Sequence, residues 1–291
     1  MPNDDLPDQQ PSVPGSPAPG APRARVGVLG TGVMGEAVLA GVLRGGTGRR
    51  LDPADVVVTA RRPERAAELA QRHGVRVVPV AEAAGAEVVV VGVKPQQLDA
   101  LLAEAAASVR PDALVVSLVA GVPAERYEAA LPAGTAVVRT MPNTPAMVGA
   151  GTTAVSPGAH ATEEHLAAVE QLLAGTGAVV RLPAGLLDAA TGVSGSGPAY
   201  VFAFVDALVE GGVHAGLPRA VATELATSTV LGAARLLAET GRHPALLREQ
   251  VTSPAGTTAA ALRELEERGL RPAVIAAVLA AARRSGELAG S

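Results

Sequence analysis

Cysteine and tryptophan are absent from the 291-residue chain, which holds only two Tyr, two Phe and a single Lys. Without cysteine, disulfides, thiolate catalysis and cysteine-ligated metals are excluded, and we predict no metal site. Four aromatic residues are too few for the stacking platforms that bind single-stranded nucleic acids. The net charge of −4, with no basic block, argues against nucleic acid and membrane partners. No continuous apolar run approaches the roughly 18 residues that span a bilayer.

The remaining composition, 48% hydrophobic and 18% charged, is typical of a globular protein. The length suffices for one large domain or two small ones, each with its own core. Of the 24 basic residues all but Lys94 are Arg, a bias that is typical of GC-rich codon usage. Lys94 therefore either survives by chance or marks a position that requires an ammonium group.

Residues 1–22 hold seven prolines, three aspartates and few apolar side chains. This composition predicts a disordered tail. The segment has neither the basic n-region nor the apolar h-region of a secretion signal. We therefore expect a cytoplasmic protein.

From Arg25 onward, short apolar runs alternate with segments of helical spacing. Most runs are continuously apolar, which is typical of strands covered on both faces. The alternation predicts an α/β domain with a doubly wound parallel sheet over residues 23–184. The predicted strands are Val26–Leu29, Val56–Thr59, Val75–Val78, Glu87–Val93, Ala113–Leu118, Ala136–Arg139, Thr152–Val155 and Ala178–Leu182. The predicted helices are Glu36–Leu43, Glu64–Arg72, Gln97–Val109 and Glu163–Leu173.

Residues 185–291 carry no strand signal and predict a second, all-helical domain. The predicted helices are Pro198–His214, Pro218–Glu239, Pro244–Gln250, Thr258–Glu267 and Pro272–Arg284. The segment Ala199–Val213 is apolar around much of its circumference, so it must be buried. Because about a hundred residues offer little interior, a homodimer interface is the simplest way to bury it.

The motif Gly30-Thr31-Gly32-Val33-Met34-Gly35 follows the first strand and opens the first helix. Gly30 permits a tight turn, Gly32 permits the close approach of a pyrophosphate, and Gly35 permits close helix–strand packing. The first N–H groups of the helix then bind phosphate. An ordinary turn is the alternative, but strand, glycines, helix and second strand follow in the right order. We predict that Leu29–Gly35 contact a dinucleotide.

The residues after the second strand decide which dinucleotide binds. NAD sites usually carry there, about 20 residues after the glycine loop, an acidic residue that bonds the ribose 2′-OH. This chain has Thr59-Ala60-Arg61-Arg62 instead, and two arginines could clamp a 2′-phosphate. The alternative is a pair of solvated loop arginines. We predict NADPH as the cofactor, with NADH as the weaker one.

Two further turns complete the predicted cofactor edge. Val93-Lys94-Pro95-Gln96 ends the fourth strand, and Ala120-Gly121 follows the fifth. Ligands of such sheets lie beyond the carboxyl ends of the strands. We therefore predict that Val93, Lys94, Pro95, Ala120 and Gly121 also face the cofactor.

In the helical domain, Ser253-Pro254-Ala255-Gly256-Thr257-Thr258 indicates a turn followed by a helix start. Its backbone N–H groups and the hydroxyls of Ser253 and Thr257 could hold a carboxylate. A capping turn that binds nothing is the alternative.

Together these motifs resemble those of the pyrroline-5-carboxylate reductase family. The resemblance runs from about Arg25 to Leu288. Its motifs, in order, are the glycine loop, Val93–Gln96, Ser117–Val122, Met141–Pro145, Ser194–Tyr200, Gly216–Arg219, Val251–Thr258 and Arg284–Leu288.

The resemblance implies NADPH-dependent reduction of the small cyclic imine 1-pyrroline-5-carboxylate to L-proline, the last step of proline biosynthesis. It implies a Rossmann-type domain followed by a helical dimerisation domain, in dimers that often assemble further into decamers. It also implies that Ser253, Gly256, Thr257 and Thr258 bind the substrate. The hydroxyl of Thr258, the predicted catalytic residue, would lie within hydrogen-bonding reach of the imine nitrogen.

The chain departs from the family pattern at three places, one of which is Gln250, where Asn or another polar residue is common. The family usually has Gly where this chain has Ala255, and Ala costs about 1 kcal/mol if the position has positive φ. The family often has Asn near the adenosine ribose, where this chain reads Val80-Ala81-Glu82, and this weakens the prediction of NADPH over NADH.

Two other functions remain open from the sequence. A reductase with the same two-domain plan could act on a different imine or on a β-hydroxy acid. Hydroxy-acid dehydrogenases would require a catalytic Lys in the helical domain, which has none. A catalytically silent NADP-binding scaffold would lose Thr258 and the carboxylate cradle, and this chain keeps both.

Overall fold

The computed structural model describes residues 25–46 and 50–289. Residues 1–22 lie outside the described residues, so the disorder of the tail stays a prediction. The described residues divide into two compact units, with the boundary between Ala184 and Gly185.

Within residues 25–46 and 50–184, the first unit is built on eight strands. These are β1 (Val26–Leu29), β2 (Val56–Val58), β3 (Arg76–Val77), β4 (Val88–Val91), β5 (Leu114–Ser117), β6 (Ala136–Met141), β7 (Gly151–Pro157) and β8 (Gly177–Arg181). They form one sheet in the order β3-β2-β1-β4-β5-β6-β7-β8. Every predicted strand is present, the first with the predicted ends and the others with ends shifted by one or two residues, and the predicted doubly wound α/β fold is confirmed.

One strand pair departs from the predicted parallel sheet, because β7 runs antiparallel to β6. The connection from Met141 to Gly151 contains only a short 3-10 turn, Thr144–Val148. A parallel crossover needs a dozen or more residues, so this connection can only reverse the chain. A full helix connects β7 to β8, and that pair is parallel again.

In the described part of this unit, six α-helices cover both faces of the sheet. They are α1 (Val33–Arg44), α2 (Pro63–His73), α3 (Val80–Ala84), α4 (Leu98–Ala105), α5 (Ala124–Ala130) and α6 (Glu163–Leu173). Successive residues of a strand point to opposite faces. Val56 and Val90 therefore pack with α1, α2 and α6, whereas Val57 and Val89 pack with α3, α4 and α5. The short α3 and α5 were not predicted, and the predicted helix Gln97–Val109 is divided into α4 and a 3-10 turn.

The second unit contains only helices among its described residues. They are α7 (Leu187–Ala190), α8 (Gly197–His214), α9 (Arg219–Thr240), α10 (Pro244–Gln250), α11 (Thr257–Glu267) and α12 (Leu270–Ala289). A π-helical turn, Thr191–Gly195, precedes α8. The buried apolar cluster of this unit consists of Val209, Ala222 and Ala226. So small a cluster leaves most of the apolar helix surface uncovered within one chain.

The exposed apolar surface is most pronounced on α8, where Phe202 is 65% exposed and Val201 46% exposed. Large apolar side chains of α9 and α12 are also exposed, such as Leu225 and Ile275. The stretch Ala184–His214 is long and apolar enough to cross a membrane. Of its most apolar 18 residues, 11% are buried. Polar residues interrupt this stretch, so it contains no continuous apolar run of that length. By composition, this surface suits either an apolar environment or another protein surface.

Candidate functional site

The glycine loop between β1 and α1 has the geometry that its sequence predicts. Gly30 has φ of 95°, and a Cβ there would lie 2.7 Å from the side chain of Val93. A Cβ on Gly35 would lie 2.1 Å from the carbonyl oxygen of Gly30. Both positions therefore require glycine, the first for its backbone conformation and the second for close helix–strand packing.

Gly32 is open to solvent, and a Cβ there would meet no atom within 4 Å. It is the N-cap of α1, and the first intrahelical hydrogen bond runs from the N–H of Glu36 to its carbonyl. The N–H groups of Val33, Met34 and Gly35 donate to no acceptor among the described residues. Open space next to free N–H groups at a helix N-terminus suits a pyrophosphate.

Thr59, the residue after β2, holds the glycine loop in place. Its hydroxyl accepts a hydrogen bond from the N–H of Gly30 (3.1 Å), and its carbonyl accepts one from the Thr31 hydroxyl (2.9 Å). These two bonds connect the glycine loop to the turn that carries Arg61 and Arg62. The loop and the turn are thus held at a defined separation.

Arg61 and Arg62 lie in the exposed turn between β2 and α2. Among the residues that the structure describes, neither side chain makes a hydrogen bond or an ion pair. Glu82, in the segment where the family often has Asn, forms an ion pair with Arg76 at 2.8 Å. The two arginines are therefore available to an anion from outside the chain.

The remaining predicted cofactor residues follow the neighbouring strands. Val93, Lys94 and Pro95 come after β4, and Ala120 and Gly121 come after β5. Because β2, β1, β4 and β5 are adjacent and parallel, their carboxyl ends share one edge of the sheet. The structure thus places all predicted cofactor-binding residues along this edge.

A buried hydrogen-bond network holds the chain where β5 ends. The hydroxyls of Ser117 and Tyr127 are 2.6 Å apart, and the N–H of Val119 donates to the Ser117 hydroxyl. The Thr140 hydroxyl donates to the Ser117 carbonyl at 2.8 Å. Burial raises the pKa of Tyr127 to about 12, although the hydrogen bond with Ser117 opposes this shift. Tyr127 is therefore neutral at physiological pH. Its hydroxyl holds that of Ser117, which accepts from the N–H of Val119 and so fixes the backbone just before Ala120.

An ionic cluster lies beside the glycine loop and consists of Glu36, Arg65, Glu68, Arg72 and His73; we call it the Glu36 cluster. Glu36 belongs to the first turn of α1, and the other four belong to α2. Burial disfavours the charged form of Glu36, but hydrogen bonds from Arg65, His73 and Arg72 outweigh it and lower the pKa to about 2. Glu36 is therefore ionised throughout the physiological range.

The predicted substrate segment of the second unit is a turn that leads into α11. The N–H of Gly256 donates to the Ser253 carbonyl at 3.0 Å, and Gly256 is the N-cap of α11. Among the described residues, the hydroxyls of Ser253, Thr257 and Thr258 make no hydrogen bond. Thr258 is half-buried, whereas Ser253 and Thr257 are exposed. Three free hydroxyls at a helix N-terminus form a neutral donor surface that suits a carboxylate.

Ala255 has φ of 56° and is the single described non-glycine residue with positive φ. It occupies the third position of the Ser253–Gly256 turn, where positive φ normally requires Gly or Asn. Ala255 therefore has the positive φ that costs a residue with a Cβ about 1 kcal/mol.

Replacing Ala255 with glycine is expected to raise the free energy of unfolding by about 0.5–1 kcal/mol. The release of about 1–2 kcal/mol of left-handed strain exceeds the 0.4–1 kcal/mol that glycine adds to the entropy of the unfolded chain. Denaturant unfolding measures the change. The matched control, Ala260→Gly inside α11, should lower stability by about 0.5–1 kcal/mol. Equal losses in the two variants would contradict strain at Ala255.

Sequence reasoning predicted neither the contacts of Thr59 and Tyr127, which support the cofactor edge, nor the Glu36 cluster beside the glycine loop. An acidic residue in the first turn of a helix interacts favourably with the helix dipole. Glu36 therefore reads in the sequence as an ordinary helix-start residue and does not indicate an ionic cluster. Its partners lie about thirty residues away, and no local pattern indicates such pairs. Among the described residues, no group of three or more His, Asp or Glu side chains could hold a metal ion.

Comparisons with known proteins match the two ends of the chain to two different family models. Residues 184–288 match the family described as "Pyrroline-5-carboxylate reductase dimerisation", and residues 25–121 match "NADP oxidoreductase coenzyme F420-dependent". The pyrroline-5-carboxylate reductase of Synechocystis sp. is 46% identical over 267 residues, which cover 91% of this chain and 98% of that protein. Its counterpart in Mycobacterium tuberculosis is 45% identical over 289 residues, covering 91% and 97%.

A solved structure supports the same assignment over both units. The pyrroline-5-carboxylate reductase of Coxiella burnetii superposes with a TM-score of 0.84 at 33% identity, covering 92% of this chain and 99% of that one. The resemblance drawn from the motifs is therefore confirmed. By sequence and by structure, the chain belongs to the pyrroline-5-carboxylate reductase family.

Proposed function

We propose that the protein reduces 1-pyrroline-5-carboxylate to L-proline with NADPH as the hydride donor. The observation that carries the proposal is the start of α11, where Ser253, Thr257 and Thr258 present hydroxyls without a partner among the described residues. The first unit also offers the N–H groups of Val33, Met34 and Gly35, which have no acceptor among the described residues. The names of the relatives support the same reaction.

The substrate dictates what the site must supply. It is a small ring with one carboxylate and one C=N bond, and reduction adds hydride to the carbon and a proton to the nitrogen. Bound NADPH supplies the hydride and is oxidised as the imine is reduced. The chain itself must therefore hold the carboxylate, orient the ring and donate a hydrogen bond to the nitrogen.

Two of these tasks, holding the carboxylate and donating to the nitrogen, fall to residues of the turn before α11 and of its first helical turn. The Ser253 and Thr257 hydroxyls, with the N–H groups that follow Gly256, hold the carboxylate at the helix N-terminus. The Thr258 hydroxyl donates to the imine nitrogen, whose electron density grows as hydride arrives. A hydroxyl is a poor acid, so solvent supplies the proton that completes the amine. Positioning then contributes most of the rate.

The test is NADPH oxidation by the purified protein with and without 1-pyrroline-5-carboxylate, and chromatography that identifies L-proline as the product. Oxidation that depends on this imine supports the proposal. Turnover of a β-hydroxy acid with NADP⁺, without turnover of the imine, would instead indicate a dehydrogenase. NADPH binding without any turnover would indicate a scaffold.

The exposed apolar face of α8 is expected to be covered by a second copy of the chain, as a dimerisation domain implies. Light scattering at micromolar concentration should give at least twice 28.9 kDa and no monomer, and the mass will separate a dimer from a decamer. Phe202→Asp places a charge on this face and should disrupt the assembly, whereas Gln71→Asp on α2 should not. An active monomer would contradict the prediction.

A cytoplasmic location and the lack of nucleic-acid and membrane partners stay predictions. Cell fractionation tests the location, and it also tests whether the apolar stretch Ala184–His214 associates with membranes. We expect the protein in the soluble fraction, because a partner chain buries the same apolar surface that a membrane would.

A further inference from the structure

The carbonyl of Thr31, in the glycine loop, is held by a side chain of α2. Arg65 Nη2 donates a hydrogen bond to the Thr31 carbonyl oxygen at 3.1 Å. The peptide group between Thr31 and Gly32 is planar and trans, so its C=O and N–H point in opposite directions. Anchoring the carbonyl therefore also fixes the direction of the Gly32 N–H, at the position where a pyrophosphate would approach.

The Arg65 guanidinium is itself held by two carboxylates. Nη2 also donates to Glu36, and Nη1 donates to Glu68 at 2.7 Å. The side chains of Arg65 and Glu36 are each only 19% exposed. A planar guanidinium with three acceptors has little freedom to move, so Arg65 holds the Thr31 carbonyl in one place.

The same contact reduces an electrostatic conflict. Glu36 carries a negative charge in the first turn of α1, close to the N-terminus that would receive the phosphates. Arg65 and Arg72 both pair with Glu36 and offset this charge. Of the two, only Arg65 also contacts the glycine loop.

We propose that Arg65 is a positioning residue for dinucleotide binding: it orients the Thr31–Gly32 peptide and touches no part of the dinucleotide itself. The inference rests on the dinucleotide binding in the proposed function. It assigns Arg65 a role different from that of Arg61 and Arg62, which have no side-chain partner in the described part of the chain and would contact the 2′-phosphate. Arg65 therefore affects binding of the pyrophosphate, which NADP⁺ and NAD⁺ share.

The test is titration calorimetry of the full-length protein with NADP⁺ and with NAD⁺. Arg65→Ala should weaken the binding of both dinucleotides by a similar factor of about tenfold. This is the effect expected when the Gly32 N–H loses its hydrogen bond to the charged pyrophosphate. The matched control is Arg72→Ala, which removes a guanidinium from the same two carboxylates without touching the loop, and it should change both affinities less than about twofold. In steady-state assays, the KM for NADPH should rise in Arg65→Ala, while kcat at saturating NADPH and the KM for the imine stay unchanged.

Each outcome has one interpretation. Loss of NADP⁺ affinity alone would show that Arg65 contacts the 2′-phosphate and would overturn the proposal. Equal losses in Arg65→Ala and Arg72→Ala would show a general effect of the Glu36 cluster and would also overturn it. If Arg65→Ala does not fold, Arg65→Met keeps the apolar stem and serves as the same test. Calorimetry needs no turnover, so a failure of imine reduction is distinguished from a failure of this inference.

Discussion

Replacement of Thr258 by alanine is expected to lower kcat for imine reduction by about 10- to 100-fold, the effect of losing one transition-state hydrogen bond. The hydroxyl makes no hydrogen bond to the described residues, so its removal leaves no partner unsatisfied. The imine nitrogen gains electron density as hydride arrives, so a donor there stabilises the transition state more than the ground state. Steady-state kinetics at saturating NADPH measures the change.

Two variants separate catalysis from binding at this turn. Thr258→Ser keeps the donor and should retain most of the activity. Thr257→Ala removes the neighbouring hydroxyl and should raise the KM for the imine with little change in kcat, because that hydroxyl is assigned to the carboxylate. A Thr258→Ala enzyme with normal kcat and a raised KM would show that Thr258 binds the substrate without taking part in the chemical step.

Replacing both Arg61 and Arg62 with serine is expected to raise the KM for NADPH at least about tenfold, since charge-assisted hydrogen bonds to a phosphate contribute about 1.5–3 kcal/mol each. The KM for NADH should change less than about twofold, because NADH carries a free 2′-OH at this position. Kinetic comparison of the two cofactors with the same imine measures the difference.

Arg72→Ser is the matched control, because Arg72 is an exposed arginine on the adjoining helix whose acceptors are Glu36 and Glu68. It should leave the ratio of the two KM values unchanged.

Raising the salt concentration should raise the KM for NADPH in the wild-type protein more than in the double variant, because salt screens exposed charges. Equal effects of the double replacement on both cofactors would show that the arginines do not recognise the 2′-phosphate.

Most of the fold follows from local patterns that can be read in one sequence. Continuous apolar runs such as Val88–Val91 indicate strands covered on both faces, and the structure has helices on both sides of them. The reversal of β7 was also within reach, because the segment from Met141 to Gly151 is too short for a parallel crossover. The helices α3 and α5 were missed because five and seven residues display too little periodicity.

By itself, the sequence determined the order of the elements, the glycine turn and the motifs that identify the family, because each depends on residues that are close along the chain. Only the tertiary structure decided which side chains hold the cofactor edge. Arg65 meets the Thr31 carbonyl across 34 positions of the sequence, and Ser117 meets Tyr127 inside the core. The positive φ of Ala255 likewise became visible only in the folded turn. Such contacts and torsions arise from packing that brings distant segments together, and no local pattern of residue types encodes them.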